Sequence, residues 1–238
     1  MRLDKLLANM GYGSRKDVKV FIRKGQVSVN GKIIRSHGFH VDVDADTIYV
    51  GDSLVRYKQY IYIMLHKPPN YVSATEDKYD QTVIDLLSPD MQHFQPFPVG
   101  RLDKDTEGLL LLTNDGDLAH QLTSPKKEIK KVYYAKIDGI VKEEDVHTFA
   151  RGVTLDDGYQ TKPAGLKILR TDSVSEIELT ITEGKFHQVK RMFQALNKHV
   201  IYLKRLQMGD ICLSDDLLLG QYRELNDTEI AYCMSLKS

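Results

Sequence analysis

The chain has 238 residues, 42% of them apolar, and a formal net charge of zero at pH 7, so it can fold as one large domain or as a small and a medium domain. No apolar run approaches the ~20 residues needed to cross a bilayer, the N terminus lacks an apolar signal segment, and the only two cysteines have no C-x-x-C spacing. These features argue against a membrane-spanning, exported or disulfide-stapled protein, and we expect a cytoplasmic protein with no membrane partner.

The first forty residues predict two helices followed by a hairpin. Apolar residues recur at helical spacing over residues 3–10, and Ser14 with Asp17 is spaced as a capping box that opens a second helix. Asn30-Gly31 is a strong two-residue hairpin turn. The apolar side chains expected to face inward are Leu3, Leu6, Leu7, Met10, Val18, Phe21 and Ile22.

The charge of this unit predicts contact with a polyanion. Residues 1–40 contain nine Lys or Arg against two Asp, a net charge of +7, which leaves −7 on the rest of the chain. A run of charges is usually a solvated face, but almost no acid compensates this one, so we predict phosphate contacts. The candidate cations are those of the second helix: Arg15, Lys16, Lys19, Arg23 and Lys24. The stretch RLDKLLANMGYGSRKDVKVFIRKGQVSVNGKII resembles the S4 domain of RNA-binding proteins across nearly its whole length.

The rest of the chain predicts a second, larger domain. Residues 52–59 are interpreted as a linker, which gives an S4-like domain with its linker at 1–58 and a second domain at 59–238. Strands are predicted at 60–65, 131–138, 162–169, 176–182 and 200–206, and helices near 82–87, at 143–151, at 187–196 and from about residue 228, after a capping box of Asn226 and Glu229. Because strands and helices mix without strict alternation, we predict an α+β fold with a mostly antiparallel mixed sheet flanked by helices.

The stretch FPVGRLDKDTEGLLLLTNDG, residues 97–116, places three acids in front of an apolar strand. Asp103, Asp105 and Glu107 precede the apolar run 109–112, which offers a carboxylate at the edge of a buried strand. From spacing alone, the favoured interpretation is that these acids solvate a connection between strands. A calcium loop is excluded because Asn114 stands where such a loop needs its closing Glu.

The helix at 187–196 lies in a wholly cationic segment. Residues 184–209 contain six Lys or Arg and no acid, so the segment needs an anionic neighbour, for which Asp103 and a phosphate both qualify. Helical geometry places Lys190 at the edge of the buried stripe and Arg191 nearly opposite it. Lys190 is therefore predicted to partner a carboxylate and Arg191 to contact RNA, with two solvated cations as the alternative.

The strand at 131–138 supplies an aromatic candidate. Its basic approach includes Lys131, and either Tyr133 or Tyr134 must face the core because side chains alternate along a strand. An aromatic ring that stacks on an extruded base is the functional interpretation, and core packing is the alternative. Spacing does not choose between them.

The motifs of several enzyme classes are missing. The sequence has no G-x-x-x-x-G-K-[ST] phosphate loop, no G-x-S-x-G elbow, no H-E-x-x-H and no zinc deaminase pattern. His37 and His40 have no third ligand near them in the sequence. We therefore expect a site without metal or cofactor.

Five stretches resemble the RsuA family of pseudouridine synthases: HKPPNYVSATED, GRLDKDTEGLLLLTNDG, SPKKEIKKVYYAKIDG, TKPAGLKIL and EGKFHQVKRMFQALNKHV. The pair G-R-L-D and H-Q-V-K-R-M-F is specific, and with the S4-like unit the resemblance covers essentially the full chain. It implies isomerisation of a uridine in ribosomal RNA without metal or cofactor: the N1–C1′ bond is broken, the base turns, and C5 is joined to C1′. Within the family, similarity is greatest to enzymes that modify small-subunit (16S) rRNA at uridine 516. The alternatives are a large-subunit (23S) target or a non-catalytic ribosome-assembly factor.

The resemblance also implies roles for five residues. Asp103 is the essential carboxylate, acting as nucleophile or as base towards the ribose, and Lys190 pairs with it and stabilises its negative charge. Tyr133 stacks on the flipped uracil and helps to remove the C5 proton. Leu203 lines the pocket, and Arg101 approaches the RNA backbone. The expected partner is 16S rRNA in a small-subunit assembly intermediate, bound by a monomer.

Overall fold

The computed structural model describes residues 1–237, which form two compact units. The N-terminal unit comprises residues 1–61 together with 88–95, and the larger unit comprises 62–87 and the residues from Pro96 onward. Within residues 1–237, no helix has the length and apolar content that a membrane crossing requires.

The N-terminal unit has two helices packed on a four-stranded antiparallel sheet. Its elements are α1 (Leu3–Asn9), α2 (Arg15–Arg23), β1 (Val27–Val29), β2 (Lys32–Ile33), β3 (Ile48–Val50), β4 (Ser53–Val55) and the short α3 (Pro89–Gln92), and the strand order is β2-β1-β3-β4. The capping box is confirmed, because the Ser14 side chain accepts from the Asp17 N–H and the Asp17 carboxylate accepts from the Ser14 N–H at 3.0 Å. The hairpin turn is confirmed by the left-handed conformation of Asn30 and Gly31.

Two details of this unit differ from prediction. The segment interpreted as a linker, 52–59, contains strand β4, which pairs with β3. Phe21 was placed on the inner face of α2 and is 37% exposed, whereas Val18 and Ile22 are fully buried. A helix of two and a half turns has room for a narrow buried stripe only, and Phe21 lies outside it.

The larger unit is built on a nine-stranded sheet. Its strands are β5 (Tyr62–Lys67), β6 (Phe97–Pro98), β7 (Glu107–Thr113), β8 (Lys131–Asp138), β9 (Gly165–Arg170), β10 (Val174–Ile181), β11 (His199–Met208), β12 (Ile211–Cys212) and β13 (Tyr222–Glu224). The order is β13-β5-β7-β11-β8-β10-β9, with β12 on β11 and β6 on β7. Only the β7–β11 pair is parallel among the described strands, so the mostly antiparallel sheet is confirmed.

Helices cover this sheet and extend its core. They are α4 (Gly116–Thr123), α5 (Glu143–Arg151), α6 (Gln188–Gln194) and α7 (Asp227–Ser235), with 3-10 turns at Val83–Leu86 and Pro125–Lys127. The predicted helices at 143–151 and 187–196, and the one opened by Asn226 and Glu229, are all present. Helix α4 was missed, because Asp115 stands in a sequence typical of a turn and is instead the cap that accepts from the Leu118 N–H at 3.2 Å.

The parallel pair β7–β11 brings two backbones unusually close. Gly108 on β7 has φ of 106°, and a Cβ added there would lie 2.2 Å from the backbone oxygen of Arg205 on β11. Only glycine allows this approach. The chain that enters β7 at this point is the loop that carries Asp103.

Candidate active site

A buried lysine fixes the loop that carries Asp103. Lys67, at the end of β5, is fully buried, and its Nζ donates to the backbone oxygens of Pro68 at 3.0 Å, Thr106 at 2.9 Å and Lys104 at 3.3 Å. Burial lowers the pKa of Lys67 to about 8 against the opposing charges of the nearby acids. The three hydrogen bonds of Lys67 therefore hold the turn that follows Asp103 in one conformation.

The other side of the loop is held by a buried serine. The Ser73 Oγ donates to the Leu102 carbonyl at 2.9 Å and accepts from the Leu102 N–H at 3.1 Å. The Thr106 N–H closes a turn on the Asp103 carbonyl at 3.0 Å. With both sides fixed, the backbone of Asp103 has little freedom.

The Asp103 carboxylate faces the side chains of Lys190 and His187, which lie at the start of α6. Its Oδ2 lies 3.2 Å from the Lys190 Nζ, and its Oδ1 lies 3.6 Å from the His187 Nε2. The side chains of Asp103 and Lys190 are each 25% exposed, so the pair lies at the mouth of a cleft. The predicted partnership of Lys190 with this carboxylate is present in the structure.

A second carboxylate shares Lys190. The Lys190 Nζ donates to Asp105 at 2.6 and 2.8 Å, which is shorter than its contact with Asp103. Burial opposes ionisation of Asp105, but its hydrogen bonds with Lys190 outweigh burial and lower the pKa of Asp105. Burial also disfavours the charged form of Lys190, yet the two carboxylates raise its pKa. Lys190 is thus shared by two carboxyl groups of the same loop.

The start of α6 is fixed by a buried network. The Gln188 Nε2 donates to Glu183 at 2.7 Å, and the Gln188 Oε1 accepts from the Lys185 N–H at 2.8 Å. His187 adopts a left-handed conformation with φ of 49°, and its ring stacks on Phe186 at 3.8 Å. These contacts set the first turn of α6 so that Lys190 points at the Asp103 loop.

All five residues predicted for catalysis and the substrate pocket line one cavity of about 70 Å³: Arg101, Asp103, Tyr133, Lys190 and Leu203. Tyr133 and Leu203 are 7% and 6% exposed, whereas Arg101 is exposed. The neighbouring Tyr134 points to the opposite face of the sheet, where its hydroxyl donates to Glu176 at 2.7 Å. The strand register therefore places Tyr133, and not Tyr134, beside the Asp103 carboxylate.

The residues predicted to bind RNA lie in different surroundings. In the N-terminal unit, Lys16, Arg23 and Lys24 are exposed, Lys19 is half-buried, and the exposed Arg15 contacts the buried Asp4 carboxylate at 3.3 Å. Lys16 and Arg23 lie on α2 away from its buried stripe, and Lys24 is the residue that caps the helix at its C terminus.

The two predicted RNA contacts in the larger unit are less accessible than expected. Arg191 is only 16% exposed, because its guanidinium binds Asp156 and, at 2.7 Å, Asp157. Lys131 is half-buried and its Nζ donates to the Ile129 carbonyl at 3.2 Å. Helical position alone did not reveal the two aspartates that cover Arg191, since they lie in a distant loop.

Three site residues were missed by the sequence analysis. Asp105 was noted as an acid but given no role, and its spacing two residues from Asp103 was the available signal. Lys67 stands in the K-P-P stretch that ends a buried strand, and a lysine at the end of an apolar run is a candidate for a buried role. His187 lies within the H-Q-V-K stretch and no local pattern distinguishes it from a surface histidine.

The arrangement suits chemistry on a sugar and its base. A half-buried carboxylate with a cation beside it can approach an electrophilic carbon, and an adjacent buried aromatic ring can hold a planar base. Among residues 1–237, no three His, Cys, Asp or Glu side chains are grouped in a way that could hold a metal ion.

Comparison with known proteins adds a family and close relatives. The RNA pseudouridylate synthase family model matches residues 61–195, and the S4 domain model matches residues 1–47. The chain is 51% identical to an uncharacterized RNA pseudouridine synthase, YtzG, of Bacillus subtilis (strain 168), over 97% of each chain. It is 39% identical to the ribosomal small subunit pseudouridine synthase A of Escherichia coli (strain K12), over 97% of this chain and 99% of the relative.

A relative named for the large ribosomal subunit has a similar identity. The chain is 41% identical to the ribosomal large subunit pseudouridine synthase B of Bacillus subtilis (strain 168), over 96% of this chain and 93% of the relative. Among solved structures, a pseudouridylate synthase crystal structure is 36% identical and superposes with a TM-score of 0.69, over 98% of this chain and 99% of that chain.

Proposed function

The chain belongs to the RNA pseudouridylate synthase family and carries an N-terminal S4 domain, and we propose that it converts uridine 516 of small-subunit (16S) ribosomal RNA to pseudouridine. The activity of an RNA pseudouridine synthase follows from the family. The small-subunit target is supported by the near-complete coverage of the small-subunit relative, and a large-subunit target is the second candidate because the large-subunit relative is 41% identical. We propose that the substrate is rRNA in an assembly intermediate and that a monomer binds it.

The observation that carries the proposed chemistry is the Asp103 carboxylate held in a cavity beside Lys190 and Tyr133. Isomerisation must break the N1–C1′ bond, which leaves electron-deficient character at C1′. A carboxylate stabilises that charge, either by bonding to C1′ or by acting as a base towards the ribose. The loop contacts from Lys67 and Ser73 hold Asp103 in place before the substrate arrives, so no reorganisation is needed during the reaction.

Tyr133 and Leu203 provide the surface on which the uracil turns. Tyr133 pairs across the sheet with Arg205, and Leu203 pairs with the small Ala135, so the tyrosine ring and the leucine side chain border one apolar wall. A base that stacks on Tyr133 can rotate in its own plane after N1 is released, which brings C5 to C1′. The C5 proton then leaves and N1 gains a proton, so the product is an isomer of the substrate. We propose that Arg101, exposed at the rim, contacts the RNA backbone.

Asp103→Asn tests the chemistry. The amide keeps the shape of the side chain and removes its charge, so tritium release from RNA labelled at uracil C5 should fall by at least about a thousandfold while RNA affinity stays within a few-fold. Asp138→Asn is the matched control, because Asp138 is exposed at the end of β8 and does not line the active-site cavity. Wild-type turnover by Asp103→Asn would refute the assigned carboxylate.

The target is tested by mapping pseudouridines through their carbodiimide reactivity. The rRNA is taken from cells with and without the gene. Loss of the signal at uridine 516 supports the small-subunit assignment. Loss of a signal in 23S rRNA would replace that target with the second candidate, and unchanged signals in both RNAs would support a non-catalytic assembly role.

The S4 domain is proposed to hold the RNA through phosphate contacts. Replacing the exposed Lys16, Arg23 and Lys24 by alanine should reduce the slope of log affinity against log salt by roughly 0.7–0.9 for each phosphate that is no longer neutralised. The same triple replacement should leave the rate at saturating RNA unchanged. An unchanged slope would show that these side chains are not at the interface.

A further inference from the structure

A second cavity of about 240 Å³ adjoins the active-site cavity, and five of the residues that line it are cations. We call it the cation chamber. It shares Arg101 and Tyr133 with the active-site cavity, and its charged lining residues are Arg101, Lys131, Lys162, Lys185, Arg205 and the single acid Glu183. The five cations outnumber the one acid, so the lining of the chamber carries a net positive charge.

Arg205 is the most deeply buried of these cations, at 2% exposure. Its Nε donates to the Leu109 carbonyl at 2.8 Å, and its Nη2 is buried without a hydrogen-bond acceptor among residues 1–237. Among the described residues, no carboxylate forms an ion pair with Arg205. Since a buried guanidinium without an anionic partner is costly, its presence at this wall needs a function.

Lys131 points into the same chamber from the neighbouring strand. Residues 131 and 133 share one face of β8, and Arg205 on β11 is the cross-strand partner of Tyr133. Among residues 1–237, the Lys131 Nζ donates only to the Ile129 carbonyl, at 3.2 Å. Burial and the charge of Arg205 lower the pKa of Lys131 to about 8, so the lysine is still mostly protonated at neutral pH.

Glu183 is the single acid of the lining, and its charge partly offsets the lowering of the Lys131 pKa, but among residues 1–237 it forms no ion pair with Lys131 or Arg205. One of its carboxylate oxygens accepts from the Lys162 N–H at 3.0 Å and from the Gln188 amide at 2.7 Å, and the other accepts from the Tyr159 hydroxyl at 2.7 Å. The Lys162 Nζ pairs instead with Glu128, at 2.6 Å. Lys131 and Arg205 are therefore left as two neighbouring cations.

We infer that the cation chamber binds a phosphate group, that of the RNA backbone next to the target uridine. A phosphate is a compact anion with several acceptor oxygens, so it suits two neighbouring cations better than a neutral base does. The chamber begins at Tyr133, so a nucleotide whose uracil stacks on that ring has its own or a neighbouring phosphate within reach. The identity of the phosphate as RNA rests on the proposed function, whereas the anion site does not.

Inorganic phosphate is the probe for the anion site itself. Equilibrium dialysis of the full chain with radiolabelled phosphate, at pH 7 and constant ionic strength, should detect binding by the wild type that Lys131→Met weakens roughly tenfold or more. Lys136→Met is the matched control, because Lys136 is exposed on the same strand and does not line the chamber. Equal phosphate binding by wild type, Lys131→Met and Lys136→Met, or none by any of them, would overturn the inference.

Chemically altered RNA tests the source of the phosphate and leaves the protein untouched. Substrate RNA, as defined by the mapping experiment, is prepared with one neutral methylphosphonate at a time around the target uridine. One position should weaken wild-type binding roughly tenfold and have no further effect on Lys131→Met, because both changes remove the same interaction. If no position shows this coupling and inorganic phosphate does not compete with RNA, the RNA source is wrong and the chamber takes a free phosphate. Failure of the proposed function would appear separately, as a wild-type protein that forms no pseudouridine.

Discussion

Replacement of the buried Lys67 tests how the loop that carries Asp103 is held in place. Lys67→Met keeps the length of the side chain and removes its three donors, so the carbonyls of Pro68, Lys104 and Thr106 lose their partner. The turn that carries Asp103 would then be free to shift. We expect lower stability and a slower reaction without loss of RNA affinity.

The expected size of the effect follows from two opposing contributions. Three hydrogen bonds from a charged donor contribute roughly 1.5–3 kcal/mol each. Against them stands the cost of burying the ammonium group, and lowering the pKa of Lys67 from 10.5 to about 8 corresponds to a cost of roughly 3 kcal/mol. The difference predicts that Lys67→Met lowers the free energy of unfolding by about 1.5–6 kcal/mol, a range that includes the usual cost of breaking a buried charged contact.

Urea unfolding followed by circular dichroism measures the stability, and tritium release from RNA labelled at uracil C5 measures the rate. Lys104→Met is the control, because Lys104 is 47% exposed and its ion pair with Asp80 should contribute less than about 1 kcal/mol. We expect Lys67→Met to lower the rate at saturating RNA by at least about tenfold, since a small displacement of a reacting group is costly. An unchanged unfolding midpoint together with an unchanged rate would refute this account of the loop.

Two further predictions concern the same region. Gly108→Ala places a Cβ against the Arg205 backbone at a positive φ, so it should lower the free energy of unfolding by at least about 3 kcal/mol, and a thermal transition at the wild-type temperature would contradict this. Because burial lowers the pKa of Lys67, the folded chain binds fewer protons than the unfolded chain between pH 8 and 10.5, and stability contributed by this group rises with pH in that window. Wild type should therefore gain up to about 1.4 kcal/mol per pH unit over Lys67→Met from pH 8 to 10, and parallel stability curves for the two proteins would contradict the lowered pKa.

Local patterns in the sequence were sufficient for most elements of the fold. The strand Lys131–Asp138 and the helix Glu143–Arg151 have the predicted bounds, because alternation and helical periodicity are properties of the segment itself. The capping box opened by Asn226 also depends on residues three apart. Asp115 shows the limit of such reasoning, since the same residue types favour turns and helix caps and only the residues that follow distinguish the two.

The site was less accessible to local reasoning because its contacts join distant segments. The Asp103–Lys190 contact was predicted from the family resemblance and from the position of Lys190 on its helix, whereas spacing alone favoured a solvated loop. The shorter contact of Lys190 with Asp105 and the two aspartates that cover Arg191 depend on loop geometry. No sequence pattern fixes such geometry before the sheet is assembled.

The cations of the segment 184–209 can be counted from the sequence, but only the fold shows which of them have a carboxylate partner. The six cations and no acids of this segment predicted an anionic neighbour, and the fold supplies carboxylates for three of them: Lys190, Arg191 and Lys198. Arg205 receives none, and with Lys131 it lines the cation chamber, which shares Tyr133 with the active-site cavity. In the proposed function, the Asp103 carboxylate therefore meets the sugar, where positive character develops at C1′, and the cations of the chamber meet the phosphate, which carries the negative charge.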